Sequence, residues 1–248
     1  VLRNLSNMIT LYQFRHSPFC LKIRMALHAK KISYRVQEVT PGVGQIEIFK
    51  ISGQKQVPVI KDDNEQIISD SSIICEYIDK KNSNNILFPE DPFLLAQAKI
   101  IEDWGDTTMA STCKKALIKS TFDNPQLRSA LLPDEIPSSI KDIFDKLPLN
   151  NVSKISNAVL SDRANIDLQK ILEYLSKTLM TKPFLVGNSL SIADISVASQ
   201  LSLLKFPLSS GPILSGEGCQ EFINNPYLEN LFNWRDKLEE SLFSASSQ

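Results

Sequence analysis

The sequence predicts a two-domain protein in which a small mixed α/β domain precedes an all-α domain. The first observation is that residues 8–82 alternate between short β-branched runs and helical patterns, in the order βαβαββα. The second is that strand-like runs then disappear, and amphipathic helical patterns fill much of residues 93–243. Residues 83–92 are rich in Asn, Ser and Pro and are typical of a linker. Residues 1–7 are expected to form a leader outside the fold.

Composition and charge narrow the function classes. Hydrophobic residues make up 42% and charged residues 22% of the chain, as in ordinary globular proteins. No apolar run is long enough to span a membrane and nothing at the start resembles a signal peptide, so we expect a cytoplasmic protein. Residues 1–83 hold 12 Lys and Arg against 8 Asp and Glu. This excess suits a small anionic ligand and is too weak to indicate nucleic-acid binding.

The four cysteines lie far apart in the sequence, and the chain has two histidines. Their spacing shows no zinc-binding pattern, and a chain of 248 residues has no need of a disulfide framework. We therefore expect no metal cofactor and a reducing environment.

The stretch 8–24 carries the strongest local signals. Met8–Phe14 is β-branched and aromatic and predicts the first strand. Ser17 suits the capping position of a helix, and Pro18 suits its first residue, which needs no amide donor. The helix should continue to about Ala29, and its dipole and free amides make the space before Ser17 a site for an anion. One face of this helix carries Cys20, Ile23 and Leu27.

The first helix is followed by a predicted strand, a predicted short helix and a run that contains a proline. Ser33–Val39 alternates like a strand, and Gln45–Ser52 predicts a short helix. Gln54–Ile60 is rich in β-branched residues but contains Pro58. A proline inside such a run indicates either an edge strand or bulge, or a cis Val57–Pro58 bond.

The last strand and helix of this domain meet at Asp70. Asp62–Glu65 predicts a turn into the strand Gln66–Ser69. Asp70 and the two serines after it then start a helix. The apolar positions of that helix are Ile73, Ile74, Tyr77 and Ile78.

Four amphipathic stretches predict the helices of the all-α domain. They are Phe93 to about Ser120, Ala158–Met180, Ile192 to about Lys205 and Tyr227–Ser241. The first presents on one face Leu94, Ala98, Ile101, Gly105, Thr108 and Thr112. The second presents Ala164, Leu168, Ile171, Leu175 and Leu179, and the last presents Leu228, Leu231, Trp234 and Leu238.

Two local features frame those helices. Leu190–Ile195 has the pattern of a capping box, in which Ser191 caps the helix and Asp194 accepts a hydrogen bond from the Ser191 amide. Residues 122–157 instead hold four prolines, so only short helices fit there, such as Ser138–Lys146.

Four motifs together resemble the cytosolic glutathione S-transferase superfamily, in the form that has a serine active site and a glutaredoxin- or omega-like N-terminal domain. They are L-Y-Q-F-R-H-S-P-F-C-L-K-I-R from Leu11, Q-V-P-V from Gln56, S-D-S-S-I-I-C-E-Y-I from Ser69 and L-S-I-A-D-I from Leu190. The motifs occur in the family's order, and the resemblance covers roughly Met8–Leu242. It implies a thioredoxin-like N-terminal domain, a helical C-terminal domain and glutathione as co-substrate without a metal. It also implies a homodimer and a hydrophobic electrophile as second substrate.

The resemblance places Ser17 where family members carry an activating serine or a nucleophilic cysteine. Lowering a thiol pKa of about 8.5 by about two units takes roughly 2.7 kcal/mol. A helix amino end supplies roughly 0.3–2 kcal/mol, and a hydrogen bond to a charged group about 1.5–3 kcal/mol. Ser17 and its helix are therefore expected to polarise the glutathione sulfur together.

The same resemblance assigns the residues that hold glutathione. Val57 would bind the cysteinyl part through its backbone as an added antiparallel strand, with Pro58 turning those groups outward. Ser71 and the first amides of its helix would hold the γ-glutamyl carboxylate, and Asp70 would hold the ammonium group. Gln56 would also reach the tripeptide.

The second substrate is expected between Ser17 and the helix that contains Trp104, Thr108 and Ser111, which recur on one helical face. Tyr12 alternates with its neighbours along the first strand, and we interpret it as a packing residue rather than a thiol activator.

Three alternatives stay open. A glutathione-dependent thiol reductase would use Cys20. Cys20 stands at the second position of a C-x-x-C motif, and Ser17 replaces the first cysteine of that motif. Core packing is the other role open to Cys20. A non-catalytic binding module would keep the fold without glutathione affinity. An isomerase similar to the zeta class would use glutathione and the same serine.

Overall fold

The computed structural model describes residues 8–40, 43–132 and 162–244. The chain forms two compact units. The first comprises Val1–Glu102, Val186–Ser199 and Leu238–Gln248, and the second comprises Asp103–Leu185 and Gln200–Lys237. The domain limits predicted above, 8–82 and 93–243, follow the order of the sequence and stay a prediction.

A four-stranded mixed sheet lies in the first unit. Its strands are β1 (Ile9–Gln13), β2 (Tyr34–Glu38), β3 (Val59–Lys61) and β4 (Ile67–Ser69). They lie in the order β2-β1-β3-β4, with β1 parallel to β2 and the other pairs antiparallel. Three strands lie near the expected bounds, whereas β3 begins at Val59 rather than near Gln54. The parallel pair requires the crossover helix that the sequence places between its strands.

Three helices follow the strands in the predicted order. They are α1 (Pro18–Ala29), α2 (Val43–Ser52) and α3 (Ser71–Lys81). One expected core position is wrong, because Ile73 is 58% exposed. The buried face of α3 instead passes through Ile74, Cys75 and Ile78, and Ile73 lies nearly opposite to it on a helix of 3.6 residues per turn.

The core of the first unit covers both faces of β1. Ile9 and Leu11 point to one face and Thr10 and Tyr12 to the other, and all are buried. The Tyr12 face packs with Val39, Ile48 and Val59, which join the sheet to α2. Burying one such aliphatic side chain contributes roughly 1.5–3 kcal/mol.

A buried carboxylate ties the β3–β4 turn to α3. Asp62 is 2% exposed and accepts hydrogen bonds from the Lys81 ammonium at 2.5 Å and from the Tyr77 hydroxyl. Burial alone would raise the pKa of Asp62, but the hydrogen bonds from Lys81 and Tyr77 outweigh it and lower the pKa to about 2. The ionised form of Asp62 therefore stabilises the fold.

A long helical run begins in the first unit and continues into the second. Its parts are α4 (Pro92–Trp104), a π-helical turn (Gly105–Met109) and α5 (Ala110–Asp123). The sequence predicted one regular helix, in which Thr108 pointed inward. Thr108 is exposed and Met109 is buried, because the wider π turn shifts the helical register by one residue.

The remaining described helices are α6 (Pro125–Ala130), α7 (Asp162–Leu179), α8 (Ile192–Leu201), α9 (Gln220–Ile223) and α10 (Glu229–Ser244). In α7 the expected core residues Leu168 and Leu179 are buried, but Ile171 is 40% exposed and Leu172 takes its place. The short helix predicted at 138–146 and the predicted helix start at Ala158 lie outside the described residues.

The helix starts follow their capping residues. The capping box before α8 is present, since the Asp194 carboxylate accepts from the Ser191 amide at 2.9 Å and from the Ser191 hydroxyl at 2.8 Å. The helix ends at Leu201 rather than near Lys205. The last helix starts at Glu229 rather than Tyr227, because the preceding residues form a 3₁₀ turn that Asn225 caps.

Asp62→Asn is expected to lower the free energy of unfolding by about 2 kcal/mol at pH 7, because it removes the charge that Lys81 and Tyr77 bind. The pKa of Asp62 is about 2 in the folded protein, below its unfolded value of about 3.9. The stabilisation is thus complete above the unfolded pKa and is lost as pH falls towards 2. Urea unfolding at pH 7 and at pH 3 measures both effects.

The matched control is Asp63→Asn, because Asp63 lies 3.4 Å from the same ammonium group but is more exposed than Asp62. This variant should lose less than half as much stability. Equal losses for the two variants would show that the buried position of Asp62 has no special role.

Candidate functional site

The sheet register brings three separate segments to one edge of the sheet. Tyr12 lies opposite Val59 in the β1–β3 pair, and Val59 lies opposite Ser69 in the β3–β4 pair. These residues form one row across three strands. Just beyond this row β1 ends, β3 begins and β4 ends, and we call this border the site edge.

The candidate residues follow from that row. Ser17 lies four residues after the end of β1, the Val57–Pro58 pair immediately precedes β3, and Asp70 immediately follows β4. Their backbones therefore leave the sheet at the site edge, although they are far apart in sequence. The register gives a physical reason to treat these segments as one site.

Ser17 caps α1 as the sequence predicted. Its backbone is extended, with φ −74° and ψ 124°, and its Oγ accepts a hydrogen bond from the Cys20 amide at 3.4 Å. That distance is long for an N–H···O bond, so the bond is weak. Ser17 is half-buried at the positive end of a 12-residue helix, and because accepting from the Cys20 amide does not use the hydroxyl proton, the hydroxyl can donate to an anion.

Cys20 lies one turn into the same helix and is fully buried. Burial raises the pKa of its thiol to about 11, against smaller lowering effects from the Ser17 side chain, the Phe14 backbone and the Arg24 charge. At neutral pH Cys20 is therefore a protonated thiol inside the protein. This environment fits core packing and opposes nucleophilic chemistry.

The Val57–Pro58 bond is cis, which decides between the two explanations that the sequence left open. Pro58 is buried, and Val57 is half-buried just before β3. Within the described parts of the chain, neither the amide nor the carbonyl of Val57 makes a backbone hydrogen bond. Their hydrogen-bonding capacity is therefore not used by the backbone of the described residues.

Gln56, the residue before Val57, is exposed. Its carbonyl oxygen accepts a hydrogen bond from the Gln54 side chain at 3.4 Å. This hydrogen bond uses the backbone oxygen of Gln56, so it does not constrain the Gln56 side-chain carboxamide.

Asp70 caps α3 from a left-handed backbone conformation, with φ +76°. Its Oδ1 accepts from the amides of Ser72 at 2.9 Å and Ile73 at 3.2 Å. Two of the first amides of this helix therefore already bind Asp70, and the role of this helix start in holding a ligand carboxylate stays a prediction. The buried Ser71 and the second carboxylate oxygen of the exposed Asp70 stay as candidate contacts.

Sequence reasoning missed a buried ion pair beneath this site. The Lys22 ammonium lies 2.7 Å from Glu102 Oε1, with side-chain exposures of 0% and 3%. The same ammonium donates to Ser72 Oγ at 3.3 Å, so α1 is joined to the first turn of α3. Burial would raise the pKa of Glu102, but the charges of Lys22 and Lys99 lower it overall. The signal that could have indicated this ion pair is the position of Lys22 among the apolar residues of α1.

A cavity of about 460 Å³ opens beside β2, whose last residue pairs with the last residue of β1. Its walls include Tyr12, Glu38, Thr40, Glu47 and Lys50. No pattern in the sequence indicated this cavity, because its walls come from an exposed strand and a helix with weak periodicity. Both charge signs line it, which suits a zwitterionic ligand group.

The residues expected at the second substrate belong to the second unit. Trp104 is half-buried, whereas Thr108 and Ser111 are exposed. The π turn lies between Trp104 and Ser111, so the regular helical face on which the prediction depended is interrupted. Their role stays a prediction.

The described residues contain neither a metal cluster nor a membrane-spanning helix. In residues 8–40, 43–132 and 162–244, no cluster of three or more His, Cys, Asp or Glu is arranged to hold a metal ion. No helix in these ranges has both the length and the apolar character needed to cross a membrane.

Comparison with protein families gives two matches to one family. The glutathione S-transferase N-terminal domain matches residues 11–85, and the glutathione S-transferase C-terminal domain matches residues 158–237. Together the two ranges cover more than half of the chain.

Two curated proteins illustrate the sequence similarity. A probable glutathione S-transferase from Glycine max is 26% identical over 233 residues, covering 90% of this chain and 87% of the relative. Glutaredoxin 2 from Escherichia coli strain K12 is 27% identical over 188 residues, covering 75% of this chain and 80% of the relative.

Solved structures agree on the fold. The beta-etherase LigF from Sphingobium is 21% identical with a TM-score of 0.65, over 96% of this chain and 100% of that protein. A glutathione S-transferase from Methylobacillus flagellatus with glutathione bound is 17% identical with a TM-score of 0.64, over 96% and 98%.

Cys20 is expected to resist alkylation in the folded protein. A pKa of about 11 leaves a thiolate fraction at pH 7 that is about 300-fold below that of an ordinary cysteine with a pKa near 8.5, and burial slows the reagent further. Peptide mapping after iodoacetamide treatment, with and without urea, measures this directly. Buried Cys113 serves as the internal reference, and rapid native labelling of Cys20 alone would contradict the assignment.

Proposed function

This chain belongs to the glutathione S-transferase superfamily, and from that premise we propose that Ser17 activates the glutathione thiol for attack on an electrophile or a peroxide. The observation that carries the proposal is the row of paired residues from β1 through β3 to β4. It brings a helix amino end, an open backbone segment and a capped acidic turn to one edge of the sheet. A thiol tripeptide with two carboxylates and an ammonium group needs these three kinds of contact.

In this proposal the Val57 backbone holds the cysteinyl part of glutathione as an added antiparallel strand. The amide and carbonyl of Val57, which make no backbone hydrogen bond among the described residues, support this role. Ser71 binds the γ-glutamyl carboxylate, and the second oxygen of Asp70 binds the ammonium group. Gln56 contributes its exposed carboxamide to the tripeptide.

Ser17 supplies the activation. Its oxygen accepts from the Cys20 amide at 3.4 Å, a bond that does not use the hydroxyl proton, so the hydroxyl can donate to a sulfur that binds at the amino end of α1. A hydrogen bond to the thiolate contributes about 1.5–3 kcal/mol, and the helix end adds roughly 0.3–2 kcal/mol. Their sum covers the roughly 2.7 kcal/mol that lowers a thiol pKa by about two units.

We propose a hydrophobic electrophile as second substrate, with Trp104, Thr108 and Ser111 as its contacts. None of the three is buried, which leaves their side chains available to a ligand. We also propose a cytoplasmic protein that acts in detoxification and has no nucleic-acid partner, consistent with the near-neutral net charge of −1.

A second candidate is a glutathione-dependent thiol reductase, favoured by the 27% identity to glutaredoxin 2. Its sulfur would have to be Cys20, since Ser17 occupies the first position of the C-x-x-C pair. The burial of Cys20 and its pKa of about 11 weigh against this candidate.

We further propose a homodimer built on exposed apolar side chains of α3 and α4. Phe93 and Ile100 are 70% and 69% exposed and lie two turns apart on the same face of α4. Ile73 on α3 is 58% exposed, and the ion pair between Lys99 and Glu76, at 2.6 Å, joins the two helices. Contiguous exposed apolar surface is typical of protein interfaces, and a dimer formed through these side chains would remove them from water.

Sedimentation velocity tests the dimer. The wild type, of 27.8 kDa, should sediment as a species of twice that mass, and Ile100→Glu should shift it to monomer, because a charge in an apolar interface is poorly solvated. Ile118→Glu is the matched control, since Ile118 is 45% exposed on α5 and outside this surface. A wild type that stays monomeric at micromolar concentration rules the dimer out.

The activation itself is tested by a pH titration of bound glutathione, following thiolate absorbance. In Ser17→Ala the pKa of bound glutathione should rise by about 1–2 units, because one charged hydrogen bond is lost. Ser17→Thr, which keeps a hydroxyl, should retain most of the ionisation. Ser83→Ala removes an exposed serine from the predicted linker and should behave as wild type.

Two outcomes would count against the proposal. If Ser17→Ala ionises glutathione as well as wild type, another group activates the thiol. If wild type does not bind glutathione, the non-catalytic binding module becomes the better description of the fold.

A further inference from the structure

Arg24 lies two turns into α1, on the same helix that Ser17 caps. It is partly buried, and burial lowers its pKa without removing its charge in any ordinary pH range. The glutathione contacts proposed above make no use of Arg24. A partly buried guanidinium next to a functional turn therefore needs its own explanation.

The guanidinium reaches back to the turn that connects β1 to α1. Nη1 donates to the carbonyl oxygen of Arg15 at 3.2 Å, and Nη2 donates to the same oxygen at 3.3 Å. Nη1 also donates to Oε1 of Gln13, the last residue of β1, at 2.9 Å. One planar group thus binds both the end of the strand and the middle of the turn.

The contact continues into the neighbouring strand. Gln13 is 4% exposed, and its Nε2 lies 3.5 Å from Oε1 of Glu38, the last residue of β2. The helix, the turn and the ends of two parallel strands are therefore linked through Arg24 and Gln13. The linked backbone is the one that carries Ser17.

The backbone of the turn also has bonds that do not involve Arg24, including one from the Arg15 amide to the Glu38 carboxylate. The Ser17 amide donates to the Phe14 carbonyl at 3.0 Å, and the Ser17 carbonyl accepts from Leu21 at 2.9 Å inside the helix. These bonds fix the start of α1. They leave the carbonyl of Arg15, midway along the turn, to be held by the guanidinium.

We propose that Arg24 is a positioning residue that holds the Phe14–Ser17 turn, and through it the Ser17 hydroxyl, in the geometry that activates a bound thiol. The proposal rests on the function proposed above. Arg24 touches neither the sulfur nor the tripeptide in this scheme and acts through the backbone of Arg15. The planar fork of arginine can bind Gln13 and Arg15 together, whereas the ammonium group of lysine is a single point on a flexible stem.

The experiment compares the full-length wild type with Arg24→Lys and Arg24→Met. Arg35→Met is the matched control, because Arg35 also donates to a β1 side chain, Thr10, at 2.7 Å, but at the opposite end of the strand from Ser17. Amide hydrogen exchange of Ser17 and Cys20 reports the turn. The pKa and Kd of bound glutathione report the site.

In Arg24→Met, exchange at Ser17 should be about tenfold faster, whereas α3 amides should be unchanged. The pKa of bound glutathione should rise by about one unit, whereas its Kd changes less than about threefold. Arg24→Lys, which keeps the charge and is the safer variant for folding, should shift both readouts in the same direction. Arg35→Met should match wild type in both.

Unchanged exchange at Ser17 in both Arg24 variants would overturn the proposal. Faster exchange with unchanged ionisation of glutathione would also overturn it, because the held geometry would not serve the thiol. If the wild type binds no glutathione, the proposed function fails separately, and the exchange rates alone then decide whether Arg24 holds the turn.

Discussion

The pairing of β1 with strands on both sides determines where a site can form in this protein. Because β2 is parallel to β1, the chain must cross back through α1, and the amino end of that helix lies where β1 ends. Because β3 is antiparallel to β1, it begins at the same edge, and the cis Val57–Pro58 bond sits at its start. The turn to α3 completes the edge, since β4 ends beside the start of β3.

Helix α1 adds two buried or partly buried cations to this frame, and their effect is on geometry more than on stability. The ion pair of Lys22 with Glu102 contributes little net free energy, because desolvation of both charges offsets their attraction. The ion pair instead fixes the distance between α1 and the start of α3, because the same ammonium group donates to Ser72 Oγ. Arg24 likewise fixes the position of the turn before Ser17, because its guanidinium group donates to the Arg15 carbonyl oxygen. Helix α1 thus holds both the turn before Ser17 and the start of α3, which are the two elements proposed to contact a ligand.

Local signals in the sequence were sufficient for the presence of the four strands and of the longer helices, but not for the short helices α6 and α9. Ser17 with Pro18, and Ser191 with Asp194, marked helix starts because capping depends on a few adjacent residues. The errors arose where a distant or irregular feature decides the outcome. The π turn moved Thr108 outward, and α3 turned Ile73 to solvent. The use of the first α3 amides by Asp70 depends on its left-handed backbone, and the partners of Lys22 and Arg24 depend on tertiary packing, which no periodicity reports.

Ser17 and Cys20 lie three residues apart on one helix, and their surroundings separate two kinds of chemistry. Ser17 is half-buried at the positive end of the helix, and the bond that its oxygen accepts from the Cys20 amide does not use its hydroxyl proton. The thiol is inside the core, with a pKa of about 11. A serine at neutral pH cannot itself serve as a sulfur nucleophile, but it can donate a hydrogen bond to one. The helix end is therefore suited to polarising a thiol that arrives with a ligand, and the burial of Cys20 opposes a role for its own sulfur in such chemistry.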